Sequence, residues 1–159
     1  RFEEALAVLD RALAIQPDSN QALVWKASVL VDLGRIEEAL AVLKKAPWQG
    51  SIMVPWATRV YVSAGQQAEA ERALATLPAE ASAGRFVSLA KMGRVQEALA
   101  VMDPAMFSSA SVSDLLFSEE YDPIRRDPRF TQVLSTLGLT AAHERAQAWR
   151  AKHPRASAK

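Results

Sequence analysis

The feature that most narrows the fold is a segment that recurs. Arg1-Phe2-Glu3-Glu4-Ala5-Leu6-Ala7-Val8-Leu9 is echoed by Gly34-Arg35-Ile36-Glu37-Glu38-Ala39-Leu40-Ala41-Val42-Leu43. It returns as Gly93-Arg94-Val95-Gln96-Glu97-Ala98-Leu99-Ala100-Val101-Met102, with a looser copy in Gly65-Gln66-Gln67-Ala68-Glu69-Ala70-Glu71-Arg72-Ala73-Leu74. The matching alanines Ala5, Ala39, Ala70 and Ala98 are spaced by 34, 31 and 28 residues. Self-similarity at that period marks stacked units, none of which buries its apolar face alone.

Each part of the pattern has a physical job. The glycine takes the left-handed conformation that ends one helix without a Cβ clash. The acidic residues fall in the first turn of the next helix, at the positive end of its dipole. The alanine lets a neighbouring helix approach. Ala5, Leu6, Leu9 and Leu13 then form one apolar face at the helical period, and Pro17 stops that helix. Residues 21 to 33, 52 to 64 and 83 to 92 also read as helices, ending at Gly34, Gly65 and Gly93. Pro47, Gly50, Pro55, Pro78 and Gly84 are expected to punctuate the connections. No alternating β-branched run suggests a strand.

On these residues the chain resembles tetratricopeptide repeat proteins. In the stretch 20 to 53, Leu23, Ala27, Leu30, Gly34, Ala39, Leu43 and Ala46 match the pattern; Lys26 replaces its usual leucine, and the third and fourth repeats are short. The resemblance implies an all-α fold of stacked antiparallel hairpins, a right-handed α-solenoid closed by C-terminal capping helices. The expected organisation is repeats over 1–103 with the first truncated, an atypical hairpin and cap over 104–152, and a flexible basic tail over 153–159.

Within the cap, residues 111 to 120, 131 to 137 and 141 to 152 are expected helices, and two Asp-Pro steps place proline early in a helix. The string Phe117-Ser118-Glu119-Glu120-Tyr121-Asp122-Pro123-Ile124-Arg125-Arg126-Asp127-Pro128-Arg129-Phe130 is similar to the closing segment of tetratricopeptide tails in bacterial multidomain signalling and transcription regulators. That resemblance implies a tail whose effector domain lies elsewhere. The start of the chain, without methionine and with early acidic charge, fits a piece of a longer protein rather than a signal peptide.

Composition excludes several classes of function. Nineteen basic residues face eighteen acidic ones, too even a balance for phosphate-driven nucleic-acid binding by this segment. Without cysteine there is no disulfide or thiolate site. That lack fits a reducing compartment, so the expected location is cytoplasmic. No stretch approaches the roughly 20 apolar residues of a membrane span. The sequence sets no oligomeric state.

Catalytic and metal chemistry are not expected, nor a cofactor. His143 and His153 read as solvated. Glu3-Glu4, Glu37-Glu38 and Glu119-Glu120 read as helix-dipole partners. Ser108, Ser109, Ser111 and Ser113 lack a nucleophile-elbow setting, and the glycines form no phosphate loop. Arg125, Arg126 and Arg129 alternate with Asp122 and Asp127, which favours pairing inside the cap over binding a phosphate or acidic peptide.

A tetratricopeptide arrangement implies a concave groove lined by the first helix of each hairpin. Matched positions there are Gln21, Val24, Ser28, Val31 and Asp32, then Ile52, Arg59 and Ser63, then Val87 and Lys91. A groove of valines with Arg59 and Lys91 suits a protein or peptide with some acidic character. Trp25, Trp48 and Trp56 are candidate aromatic anchors, with core packing as their other reading. The expected function is a protein-interaction scaffold. A small-molecule sensor domain is the alternative.

Overall fold

The computed structural model describes residues 1–46, 48–50, 52–108 and 121–153. Pro47, the helix expected over 111–120 with Glu119-Glu120, the serines at 109, 111 and 113, and the tail beyond His153 lie outside the described residues. Those described form no strand. They make ten α-helices and one short 3-10 helix, Pro104–Ser108. In chain order the α-helices are α1 Phe2–Ile15, α2 Asn20–Asp32, α3 Ile36–Leu43, α4 Val54–Ser63, α5 Gln67–Ala75, α6 Ser82–Lys91, α7 Val95–Ala100, α8 Asp122–Arg125, α9 Pro128–Thr136 and α10 Thr140–Lys152.

Local chemistry accounts for the helix ends. α1 stops at Ile15, two residues before Pro17. The Ser19 hydroxyl accepts from the Ala22 amide at 3.5 Å and caps α2, and the Asp127 carboxylate accepts from the Arg129 amide at 2.9 Å and caps α9. Two expected punctuation marks instead lie inside helices. Pro55 is the second residue of α4, in the first turn, where its missing N–H has no partner to lose. Gly84 is buried in the first turn of α6, where the packing of the helix outweighs the roughly 1 kcal/mol that glycine costs relative to alanine.

Four turns share one geometry. Gly34, Gly65, Gly93 and Gly138 have φ of +74°, +69°, +72° and +67°. At Gly34 the glycine amide donates to the Val31 carbonyl at 2.9 Å, and the Arg35 amide reaches back to the Leu30 carbonyl at 2.8 Å. The same pair of bonds closes the turns at Gly65, Gly93 and Gly138. This is the Schellman closure, which satisfies carbonyls that the helix end would otherwise orphan.

These turns fold α2 on α3, α4 on α5, α6 on α7 and α9 on α10. The first helices also stack directly, α2 on α4 and α4 on α6, while α3 touches α4 and α5 touches α6. The result is an all-α helical solenoid, as the repeat predicts. One apolar core runs from Leu6 to Leu134. Ala39, Ala70 and Ala98 are completely buried in it, at the close approach that only a small side chain allows. Leu43, the residue four places after Ala39, is also fully buried, an effect of about 1.5–3 kcal/mol per such side chain.

The helix α1 carries the same sequence pattern as α3 but a different environment. α3 is held between α2 and α4, whereas α1 packs on α2. Ala5 and Leu9 are accordingly half-buried where Ala39 and Leu43 are sealed, and Ile15 is 87% exposed.

Candidate partner-binding groove

Measured back from the hairpin glycines, the first helices share a register. Ser28, Arg59 and Val87 stand six residues before Gly34, Gly65 and Gly93; Asp32, Ser63 and Lys91 stand two before; Trp25, Trp56 and Gly84 stand nine before. Because α2, α4 and α6 stack side by side, equivalent positions recur along one face. Two contacts confirm that these positions meet across neighbouring helices.

The first contact joins α4 to α2. Arg59 Nη2 lies 2.5 Å from Asp32 Oδ1, and Nη1 lies 3.3 Å from Oδ2. Arg59 Nη1 also donates to the Ser28 hydroxyl at 2.6 Å and to the Ser28 carbonyl at 3.2 Å. A planar guanidinium matches a carboxylate in this forked way, and both side chains are mostly withdrawn from water. The second contact joins α6 to α4. Lys91 Nζ stands 5.3 Å from the centre of the Trp56 ring and 5.9 Å from that of Tyr121, within the range of cation–π attraction. Tyr121 in turn lies parallel to Phe86, with ring centres 6.4 Å apart.

Both cations expected to draw an acidic partner are therefore committed inside the molecule. Of the other expected groove residues, Gln21, Ile52 and Ser63 are exposed, and Val31, Asp32 and Val87 are half-buried. Val24 and Ser28 need correction. They are buried, because α4 stacks against α2 and Arg59 folds over Ser28, so neither offers surface to a partner. The three tryptophans divide. Trp48 packs edge-on to Tyr61 at 5.7 Å, and it and Trp56 lie half-buried against the core. Trp25 is 43% exposed.

Charge elsewhere is spent on structure. The arginine opening the repeated segment clamps the glutamate three residues on: Arg35 holds Glu38 at 2.7 and 2.6 Å, and Arg94 holds Glu97 at 2.7 and 2.5 Å. These bonds lower both carboxyl pKa values. Lys26, the departure from the repeat pattern, pairs with Asp10 of α1 at 2.5 Å. In the cap Asp122 receives Arg150 at 2.8 Å and also Arg125, and these bonds, Arg150's first, pull its pKa from 3.8 to about 2. Arg129 pairs with Asp127 at 2.9 Å. The pairing reading of Arg125 and Arg129 matches these contacts.

His143 departs from the solvated reading. It is half-buried, its ring lies edge-on to Phe130 with centres 5.6 Å apart, and its buried Nε2 has no hydrogen-bond partner among the described residues. Burial first, then the nearby Arg125 charge, pushes its pKa below 6.5. His143 stands five residues after Gly138, as Ala39, Ala70 and Ala98 stand five after their own glycines. Counting from Gly138 is the signal that would have found it. Tyr121 enters the sequence pattern only as part of a longer string, and Trp149 stacks on His153 with ring centres 4.4 Å apart.

Among the described residues no three His, Cys, Asp or Glu side chains are grouped to hold a metal, and no helix is long and apolar enough to cross a membrane. Glycine-turned hairpins whose first helices stack along one face into a solenoid make this a tetratricopeptide-like helical-repeat protein. The tetratricopeptide repeat family model matches residues 1–50, the span of α1 to α3. No curated protein and no solved structure matches the chain. Tetratricopeptide repeats generally mediate protein–protein interactions, and the family is a non-catalytic binding module.

Proposed function

We propose that this chain is an interaction scaffold that holds a protein or peptide in the groove along α2, α4 and α6. In the same reading it serves as the tail of a larger bacterial signalling or transcription regulator. The observation that carries the groove is the direct stacking of those three helices, along which Gln21, Trp25, Asp32, Ser63 and Lys91 stay out of full burial. The regulator context rests on the sequence from Phe117 to Phe130 and its likeness to the closing segment of such tails.

Affinity capture from a lysate of the source cell tests the groove, comparing the chain with a Trp25→Ala, Ile52→Ser double variant. Both residues are exposed, so the variant keeps its fold. Arg59→Glu is the wrong probe, because it would set a carboxylate against Asp32. A protein retained by the parent and lost by the variant supports the groove, and equal retention by both overturns it. An empty capture turns the question to the small-molecule sensor, which a ligand-dependent melting shift would reveal.

A further inference from the structure

The cation that covers Trp56 has no counterpart over Trp25. Trp56 stands nine residues before Gly65 and meets Lys91, two before Gly93. One repeat earlier, Trp25 stands nine before Gly34, and the residue two before Gly65 is Ser63. Consecutive first helices stack, α2 on α4 and α4 on α6, so Ser63 holds toward Trp25 the register that Lys91 holds toward Trp56. Serine supplies neither an ammonium nor the length to reach a ring. Trp25 is left 43% exposed, and among the described residues it meets no other ring and no cation.

We propose that Trp25 is a receptor for a lysine or arginine side chain of a bound peptide, which occupies over this ring the place that Lys91 occupies over Trp56. The inference rests on the groove reading above and names the chemistry of its occupant. The cations of α2 and α4 are already paired. Lys26 is neutralised by Asp10 and Arg59 by Asp32, while the face of an indole carries negative potential. The groove is thus suited at its α2–α4 end to a basic partner, the reverse of what counting its lysine and arginine implies.

The test follows the indole N–H resonance of Trp25 by NMR while hexa-arginine or hexaglutamate peptide is added. Assignment comes from loss of one indole signal in Trp25→Leu. Saturable movement of that signal with hexa-arginine and none with hexaglutamate is the expected result. Ser63→Lys supplies a resident ammonium and should weaken hexa-arginine about two- to fivefold, the range of an exposed cation–π contact. Ala75→Lys adds the same charge on α5, in the other helix layer, and should leave the affinity unchanged. A Trp25 signal that ignores hexa-arginine, follows hexaglutamate equally, or weakens alike in Ser63→Lys and Ala75→Lys overturns the proposal. The groove itself is judged separately. A lysate partner lost by the Trp25→Ala, Ile52→Ser variant, together with an indole signal that ignores hexa-arginine, keeps the groove and removes the cation.

Discussion

The hairpins α2–α3 and α9–α10 turn on glycines of the same geometry, yet their seams are built from different chemistry. In the first, Ala39 lies completely buried where the second helix meets its neighbours, and the ion pairs sit outside the core. In the second, the equivalent position is His143, whose buried nitrogen beside Phe130 has no partner among the described residues. A carboxylate shared by Arg125 and Arg150 lies close by. The Schellman turn therefore fixes the hairpin but not the interior. An alanine seam is closed by dispersion and apolar burial and carries no titrating group. A histidine seam carries polar groups into a partly dry interior, where their charge state matters.

The largest effects should come from emptying each core in turn. Phe86 and Phe130 are both fully buried, so Phe86→Ala and Phe130→Ala should each cost about 3–5 kcal/mol. The consequences should differ in reach. Stability in stacked repeats is close to a sum of units and nearest-neighbour contacts. Phe130→Ala should abolish hydrogen-exchange protection in α9 and α10 while α2 to α5 keep theirs. Phe86, central to α6, should lower protection on both sides of it. Equal loss throughout the chain in Phe130→Ala would mean that the two regions fold as one unit.

Next in size is Asp122→Asn. The Arg125 side chain is only 4% exposed and would keep its charge with a weakened partner. Asp122 itself is partly open to water, so the expected cost is about 2 kcal/mol, below that of breaking a fully buried pair. The acid limb of the stability curve should change with it. A carboxyl depressed from 3.8 to about 2 by folding stabilises the protein above pH 3.8, and that contribution fades as pH falls toward 2. Chemical denaturation at pH 7 and pH 3 should show a smaller difference for the variant than for the parent. An unchanged difference would remove Asp122 from the account.

What the sequence disclosed follows the same division. The repeated glycine, acidic pair and alanine made the hairpins legible, because each acts through local backbone and packing rules that recur with the copy. The burial of Val24 and Ser28 was not legible. It depends on how closely α4 lies on α2 and on Arg59 reaching back across 31 residues to Ser28. The commitment of Arg59 and Lys91 was hidden for the same reason, since a cation's partner in the next repeat has no local signature. Gly84 and Pro55 misled in the other direction, because their turn preference yielded to the packing of α6 and to proline's tolerance in a first turn.

If the turns really are equivalent, a methyl group should be felt alike in both regions. A Cβ built on Gly34 or Gly138 meets nothing within 4 Å, and both have positive φ. Gly34→Ala and Gly138→Ala should then lose only the left-handed backbone penalty, about 1 kcal/mol each. A markedly larger loss at either turn, measured by urea denaturation, would show that something other than backbone conformation distinguishes them.

The finest distinction is the pH response of His143. Folding depresses its pKa below 6.5, chiefly by burial, so the fold favours the neutral ring. The sign follows from linkage: stability is fully present above pH 6.5 and declines as pH falls through that value toward the folded pKa, because the unfolded chain takes up the proton first. Arg125 and Arg150 strengthen the effect and Glu144 opposes it. The parent should therefore melt lower at pH 5 than at pH 7, and His143→Ala should flatten that window while leaving the separate Asp122 transition below pH 3.8. A slope that survives His143→Ala would return the seam of α9 and α10 to the same class as its alanine counterparts.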